Sequence, residues 1–212
     1  EMSTDEAETV LKKMARDATT EEALALVESI GEQPDPIHTT LLLEFAGHED
    51  PRVRRATARA MRAVGREEFI DPLIAMLPVR ELRAEARAAL VAIGPPALSA
   101  LDRALGDETL AQNVRRHVPR TVSRFDPADA APILTRHLLD AGDGLVRFKI
   151  LRGLGSLRRR APDVEIDPRV LRQGLEQTLA GAYRLLDWRK ALLRGADEDP
   201  RRATVVHELL LH

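Results

Sequence analysis

The chain has 212 residues, of which 44% are hydrophobic, 31% charged and only 3% aromatic, with a formal net charge of −2 and no cysteine. That hydrophobic share argues against disorder, and the lack of cysteine excludes disulfides and thiolate zinc sites. The near balance of charge excludes bulk attraction to nucleic acid or to an anionic membrane, leaving room only for a local patch.

No apolar run approaches the roughly 20 residues that span a bilayer, and no stretch reads as a signal peptide. Membrane insertion by this stretch is therefore not expected, and it is read as soluble and cytoplasmic. The chain opens Glu1-Met2 and stops inside the apolar run VVHELLLH. It is read as a fragment of a longer protein, whose parent is open to membrane anchoring.

With so few aromatics, the core must be built from Leu, Ala, Val and Ile, which suits packed helices. Helix starters recur along the chain. Asp-Pro pairs stand at Asp35, Asp50, Asp71, Asp126, Asp167 and Asp199. An Asp N-cap satisfies an orphan N–H, and proline at the first helical position forfeits no bond. Asp71-Pro72 is also compatible with a place inside the first turns of a helix. Ser3 with Glu6 and Thr19 with Glu22 form capping boxes. Gly31, Gly65, Gly94 and Gly142 sit where helices are expected to stop.

In chain order the predicted helices are 4–17, 20–31, 36–48, 51–64, 67–77, 80–93, 96–106, 110–125, 128–141, 144–160, 168–195 and 200–212. Four of them repeat one pattern. With Val53, Leu82, Val114 and Val146 as position zero, the spacings are 29, 32 and 32 residues. Arginine follows each time, as Arg54, Arg83, Arg115 and Arg147. Apolar or small residues recur at offsets 4, 7, 8 and 11, which draws one stripe along a helix. Offset seven is the small position (Ala60, Ala89, Thr121, Gly153), as a close backbone neighbour requires. Shorter apolar helices lie between the striped ones. A lone pair cannot bury its stripe, whereas stacked pairs can. The expected architecture is all-α: a right-handed α-solenoid of antiparallel helix pairs, about 11–12 helices in all. It is read as a single domain over 1–212, with regular repeats at 20–160 and a long helix and a C-terminal helix in 167–212.

The residues carry a resemblance. DPRVRRATARAMRAVG at 50–65 with DPLIAML at 71–77, then ELRAEARAALVAIG at 81–94 with PPALSALDRAL at 95–105, resembles HEAT repeats of the short bacterial type. The resemblance covers roughly 20–160 and implies an α-solenoid, a fold that hosts many functions. The unit at 79–106 departs by lacking the usual Asp before its first helix. A narrower resemblance rests on VRRHVPRTVSRF at 114–125, the segment 145–171 and YRLLDWRKAL at 183–192. These are similar to HEAT segments that follow the membrane part of some bacterial transporter-like proteins.

Several constellations were weighed for chemistry. Arg116, Arg120 and Arg124 fall opposite the stripe of their helix and are candidates for anion binding. A solvated outer face is the ordinary explanation of such charge. Pro119 is expected to kink that helix. The arginine after position zero could reach a carbonyl or carboxylate of the next repeat, with Asp50 and Asp143 as candidate acids. Arg158–Arg160 complement a helix C-terminus. His48-Glu49 and His207-Glu208 are the kind of pair that HEAT-type di-iron hydroxylases use, but two pairs fall short of a ligand set. Nucleic-acid binding of the HEAT-like DNA glycosylase type is disfavoured by the charge balance, with Trp188 and Tyr183 as the stacking candidates near basic residues. On helix 168–195, apolar residues fall on two faces, which places Trp188 in a core or interface, and Gly174 and Gly181 would permit close approach.

No catalytic residue, cofactor or metal site is assigned. The expected function is a non-enzymatic protein–protein interaction or regulatory scaffold, with a protein partner or another segment of the same parent as ligand. Its candidate partner-binding residues, on the second helices, are Ser99, Asp102, Arg103, Thr135, Arg136 and His137.

Overall fold

Capping residues set the helix starts in the computed structural model, which describes Lys13 and residues 17–197, with side chains to residue 190. Thr19 accepts from the Glu22 N–H at 3.4 Å while Glu22 accepts from the Thr19 N–H at 2.8 Å, closing the capping box that opens α1, Thr20–Glu32. Asp35 caps a single 3₁₀ turn, Pro36–His38, that runs into α2, Thr39–Phe45. Asp50 accepts from the Arg52 N–H at 2.7 Å and starts α3, Pro51–Val64. Gly65, with φ at 71°, ends it, a left-handed conformation that only glycine adopts cheaply. A second 3₁₀ turn, Glu67–Phe69, leads into α4, Ile70–Met76, and Asp71-Pro72 lies in its first turn.

The pattern continues with α5, Arg83–Ile93, and α6, Pro95–Gly106, hinged at Gly94 with φ at 85°. Beyond them come α7, Gln112–Arg115, α8, Val118–Val122, α9, Pro127–Asp140, and α10, Gly144–Arg160. Last is α11, Pro168–Asp197. Among the described residues there is no strand. The expected helices 4–17 (but for Lys13 and Asp17) and 200–212 lie outside the described residues, as do the Ser3 capping box and Asp199-Pro200.

Helix contacts resolve into two layers. α1, α3, α5, α8 and α10 pack in succession, and α4, α6, α9 and α11 pack in succession against them. The chain therefore alternates between layers, as stacked helix pairs do. The repeated stripe is the seam between them. Val53, Leu82 and Val146 are buried at position zero, Thr57, Ala86, Val118 and Ile150 at offset four, and Met61, Leu90, Val122 and Leu154 at offset eight. Buried Thr57 returns its hydroxyl to the Val53 carbonyl at 2.9 Å, so the polar atom costs little.

Small residues sit where helices cross closely. A Cβ on Gly153 would lie 3.1 Å from the Pro119 carbonyl oxygen and 3.0 Å from Leu134. Gly31 does not stop a helix; it lies inside α1, where a Cβ would face the Ala60 backbone at 3.8 Å. On α11 a Cβ at Gly174 would fall 2.6 Å from Leu138 Cγ, whereas Gly181 has open space, so only the first of the two glycines marks a close approach.

Two expectations change. The helix expected over 110–125 is broken into α7 and α8 across Arg116-His117, rather than kinked. Pro119 has no N–H, and its ring excludes the carbonyl four residues back, so the break falls one turn ahead of it. Trp188, expected in a core or interface, is 67% exposed. The cause is length: α11 has 30 residues, about 45 Å of helix, against about 21 Å for the 14 residues of α9. Leu171 and Gly174 dock on the stack, while Leu185 and Trp188 lie further along and outrun it.

Candidate functional site

The arginine after position zero works on the main chain. Arg83 Nε donates to the Leu77 carbonyl and its terminal nitrogen to the Pro78 carbonyl, both at 2.6 Å. Arg147 donates to the Ala141 carbonyl, and Arg115 to the Asp107 carbonyl at 3.4 Å. Each reaches back to the end of the preceding second helix, not forward to the next repeat. There it meets carbonyls that a helix leaves unpaired, at the negative end of its dipole. The two acids considered for the ladder are engaged otherwise. Asp50 pairs with Arg52 at 3.0 Å, and Asp143 accepts from Gln112 at 2.5 Å while capping α10. Arg160 is spent in the same way as the ladder arginines, donating to the Ser123 and Phe125 carbonyls at the end of α8.

Of the six candidates on the second helices, three come together. Arg136 pairs with Asp102 at 2.6 Å, and His137 Nε2 donates to the other carboxylate oxygen at 2.7 Å. The imidazole lies over Gly106, where a Cβ would be 3.1 Å from its Cε1. Asp102 thus ties α6 to α9, with both oxygens occupied. Ser99 and Arg103 are exposed on α6, and Thr135 is half-buried on α9.

The first-helix layer holds a different arrangement. Between α8 and α10 runs a furrow of about 270 Å³, lined by Arg120, Arg124, Lys149, Arg152, Arg159 and Arg160 with Ser123, Gly153 and Ser156. Six cationic side chains line it and no carboxylate does. Arg120 and Arg124, two of the three anion-binding candidates, are in that lining. Arg116, the third, is exposed on the same layer, close enough to His117 and Arg83 for its charge to act on both. Among the described residues none of Arg120, Arg124, Lys149, Arg152 and Arg159 has a carboxylate within ion-pair distance.

Arg87 of α5 borders this group and is only 7% exposed. Its Nε donates to Thr121 Oγ1 at 3.4 Å, and no acid faces it among the described residues. Burial, reinforced by Arg120, Arg83 and Arg124, holds its guanidinium down to about 10, still a cation near neutrality. His117 feels the same field. Burial first, then Arg83, Arg87, Arg116 and Lys149, push its imidazole down to about 4. Its Nε2 is buried without a hydrogen-bond partner. Phe148, on the same helix as Lys149 and Arg152, is 42% exposed, with both cations within 6 Å of its ring centre, at 5.8 and 5.9 Å.

Arg87, Lys149, Arg152 and Arg159 were not among the sequence candidates. One signal was present: Arg120 and Arg152 both stand six residues after position zero, so stacking the repeats sets them side by side. Arg87 carried no such signal, since its neighbours come from another helix.

His48, of the first histidine-glutamate pair, accepts the Asp50 N–H through Nδ1 at 3.0 Å and so serves the α3 cap. His207-Glu208 lies outside the described residues. Among the described residues no cluster of three or more His, Asp or Glu is placed to hold a metal ion, and no helix is long and apolar enough to cross a membrane.

No curated protein matches the chain. The match that exists agrees with the stacked pairs and their buried stripe: residues 7–91 match the family model of HEAT repeats, and this part of the chain is a HEAT-repeat array.

Proposed function

We propose that the chain is a non-enzymatic scaffold that binds an acidic segment of a partner polypeptide along the cationic face of its first-helix layer. HEAT repeats in general mediate protein–protein contacts, which supports the class. The observation that carries the choice of face is the furrow between α8 and α10, lined by six cations and no acid in a chain of net charge −2. Charge so segregated attracts and orients an oppositely charged partner. The test is fluorescence anisotropy of a labelled Asp/Glu-rich peptide at low salt. Binding that weakens on adding salt and on Arg120→Glu with Arg152→Glu supports the reading; no binding at low salt sinks it.

The similarity of 114–125, 145–171 and 183–192 to HEAT segments of bacterial transporter-like proteins supports a particular setting for this role. In that setting the parent is a membrane protein and the acidic segment belongs to the same chain.

A second reading, single-stranded nucleic acid, draws on Phe148, an exposed ring flanked by Lys149 and Arg152. Aromatic faces beside cations stack bases. A labelled oligonucleotide whose binding is lost on Phe148→Ala would favour it over the polypeptide.

A further inference from the structure

We propose that the furrow between α8 and α10 is a phosphoryl-binding site, and that the acidic segment it takes is phosphorylated. The inference rests on the polypeptide-binding reading above and narrows its ligand.

The first ground is how the charge is distributed. A string of Asp and Glu residues presents one negative charge per side chain, spread along a backbone that advances about 3.3 Å per residue. Such a ligand suits a long, evenly basic groove. Here six cations border one furrow of about 270 Å³. A phosphoryl group places about −1.5 to −2 charges and three acceptor oxygens at a single point, which is what so local a cluster can use.

The second ground is Arg87. It is 7% exposed, faces no carboxylate among the described residues, and lies among Arg83, Arg120 and Arg124. A buried cation with cationic neighbours is costly to hold unless a counter-charge is available. Neither Arg120 nor Arg124 can supply one, and the single bond to Thr121, at 3.4 Å, is weak. An anion seated between Arg120 and Arg124 lowers the repulsion on Arg87 without having to touch it.

The third ground is the chemistry of the lining. Guanidinium forks match phosphate oxygens two at a time, where an ammonium acts as a point charge. Four of the five lining arginines are free of carboxylate partners, and the fifth, Arg160, already fixes the end of α8 through the Ser123 and Phe125 carbonyls. That bond makes the wall on which Arg120 and Arg124 stand part of the stack. Ser156 adds a hydroxyl donor at the same furrow. Its lining is Arg, Lys, Ser and Gly, which offers nothing for acyl chains, so a lipid headgroup is the poorer fit.

The test compares two labelled acidic peptides that differ only in one central residue, serine or phosphoserine, by anisotropy at fixed low salt. Phosphorylation is expected to tighten binding about tenfold or more, as new charge-assisted bonds to arginine do. Inorganic pyrophosphate should compete. Arg120→Gln with Arg152→Gln should erase the gain and leave the thermal melt unchanged, since both side chains are exposed. Equal affinity for the two peptides overturns the phosphoryl site and leaves the polypeptide-binding reading standing. Failure of both peptides to bind overturns both. Tighter binding to anionic vesicles or to an oligonucleotide than to the phosphopeptide also overturns it, in favour of that class.

Discussion

Arg83 and Leu77 are joined across a repeat boundary: the guanidinium of the first donates at 2.6 Å to the carbonyl of the second, just past the end of α4. A second bond of 2.6 Å, to the Pro78 carbonyl, makes the contact a fork. The α4 terminus is thereby closed by a side chain from the following helix, so the bond holds the angle between successive repeats. Replacing Arg83 with Met keeps much of the stem but removes both donors. Leaving two part-buried carbonyls unpaired should cost about 1.5–3 kcal/mol. Arg83→Lys should recover only part, because an ammonium cannot fork. Arg54→Met, at the equivalent register position where Nε lacks a partner, should cost less. Urea unfolding with unchanged slope measures all three, and equal midpoints for Arg83→Met and the parent would refute the role.

Two glycines of α11 separate packing from propensity. A methyl at Gly174 would sit 2.6–2.9 Å from three carbons of Leu138, which is fully buried and cannot swing aside into solvent. Gly174→Ala therefore forces a shift between α11 and α9, costing about 1–3 kcal/mol, more than the gain of about 1 kcal/mol in helix propensity. Gly181 has no atom within 4 Å of such a methyl. Gly181→Ala should accordingly stabilise, by about 0.5–1 kcal/mol. Thermal melts shifting the same way for both variants would contradict this packing.

The difference between these glycines was not legible in the sequence, since both stand in one apolar face of one helix. What decides is where α9 ends, and a single chain of letters does not carry that. The same ignorance misplaced Trp188: two apolar stripes imply two covered faces only while neighbours run alongside. Most of the stack was legible, because a stripe at offsets 0, 4, 7, 8 and 11 has one economical burial and Asp-Pro caps fix the starts. The furrow was half legible. Arg120 and Arg124 were visible as charge opposite a stripe, but such charge has a solvated face as its ordinary meaning. Lys149, Arg152 and Arg159 join them only after α10 is stacked on α8, and Arg87 only after α5 is. The arginine ladder was legible as a repeat and not as a direction, because periodicity alone does not say whether a side chain reaches forward or back.

Asp102 is the centre of the second-layer tie between α6 and α9. Its carboxylate accepts from Arg136 at 2.6 Å and from His137 at 2.7 Å. Arg136 is more than half exposed, so its share is small, while His137 is mostly covered and loses its acceptor if Asp102 is changed. Asp102→Ala should cost about 1 kcal/mol or somewhat more, and Arg136→Ala clearly less. A double variant of Asp102 and His137 should cost less than the sum of the singles. Strict additivity in denaturant unfolding would show that the pair is not coupled.

His117 reports the field of the cationic face. Its imidazole is held at about 4, by burial first and then by Arg83, Arg87, Arg116 and Lys149. An unfolded chain restores the ordinary value near 6.5. Between about 4 and 6.5 the unfolded state therefore binds more protons than the folded one, and stability rises with pH across that window. The contribution of neutral His117 is complete above about 6.5 and is lost as pH falls towards 4. His117→Gln, which cannot titrate, should flatten the pH dependence of unfolding in this range. A site-resolved titration of the imidazole should give a midpoint near 4, and saturating pyrophosphate should raise it. The rise should be partial, because an anion cancels the neighbouring charges but leaves the burial in place. A midpoint near 6.5 without ligand would show that neither burial nor the arginines bear on this ring. A midpoint near 4 that pyrophosphate does not move would show that the bound anion sits too far from Arg116 and Lys149 to screen them.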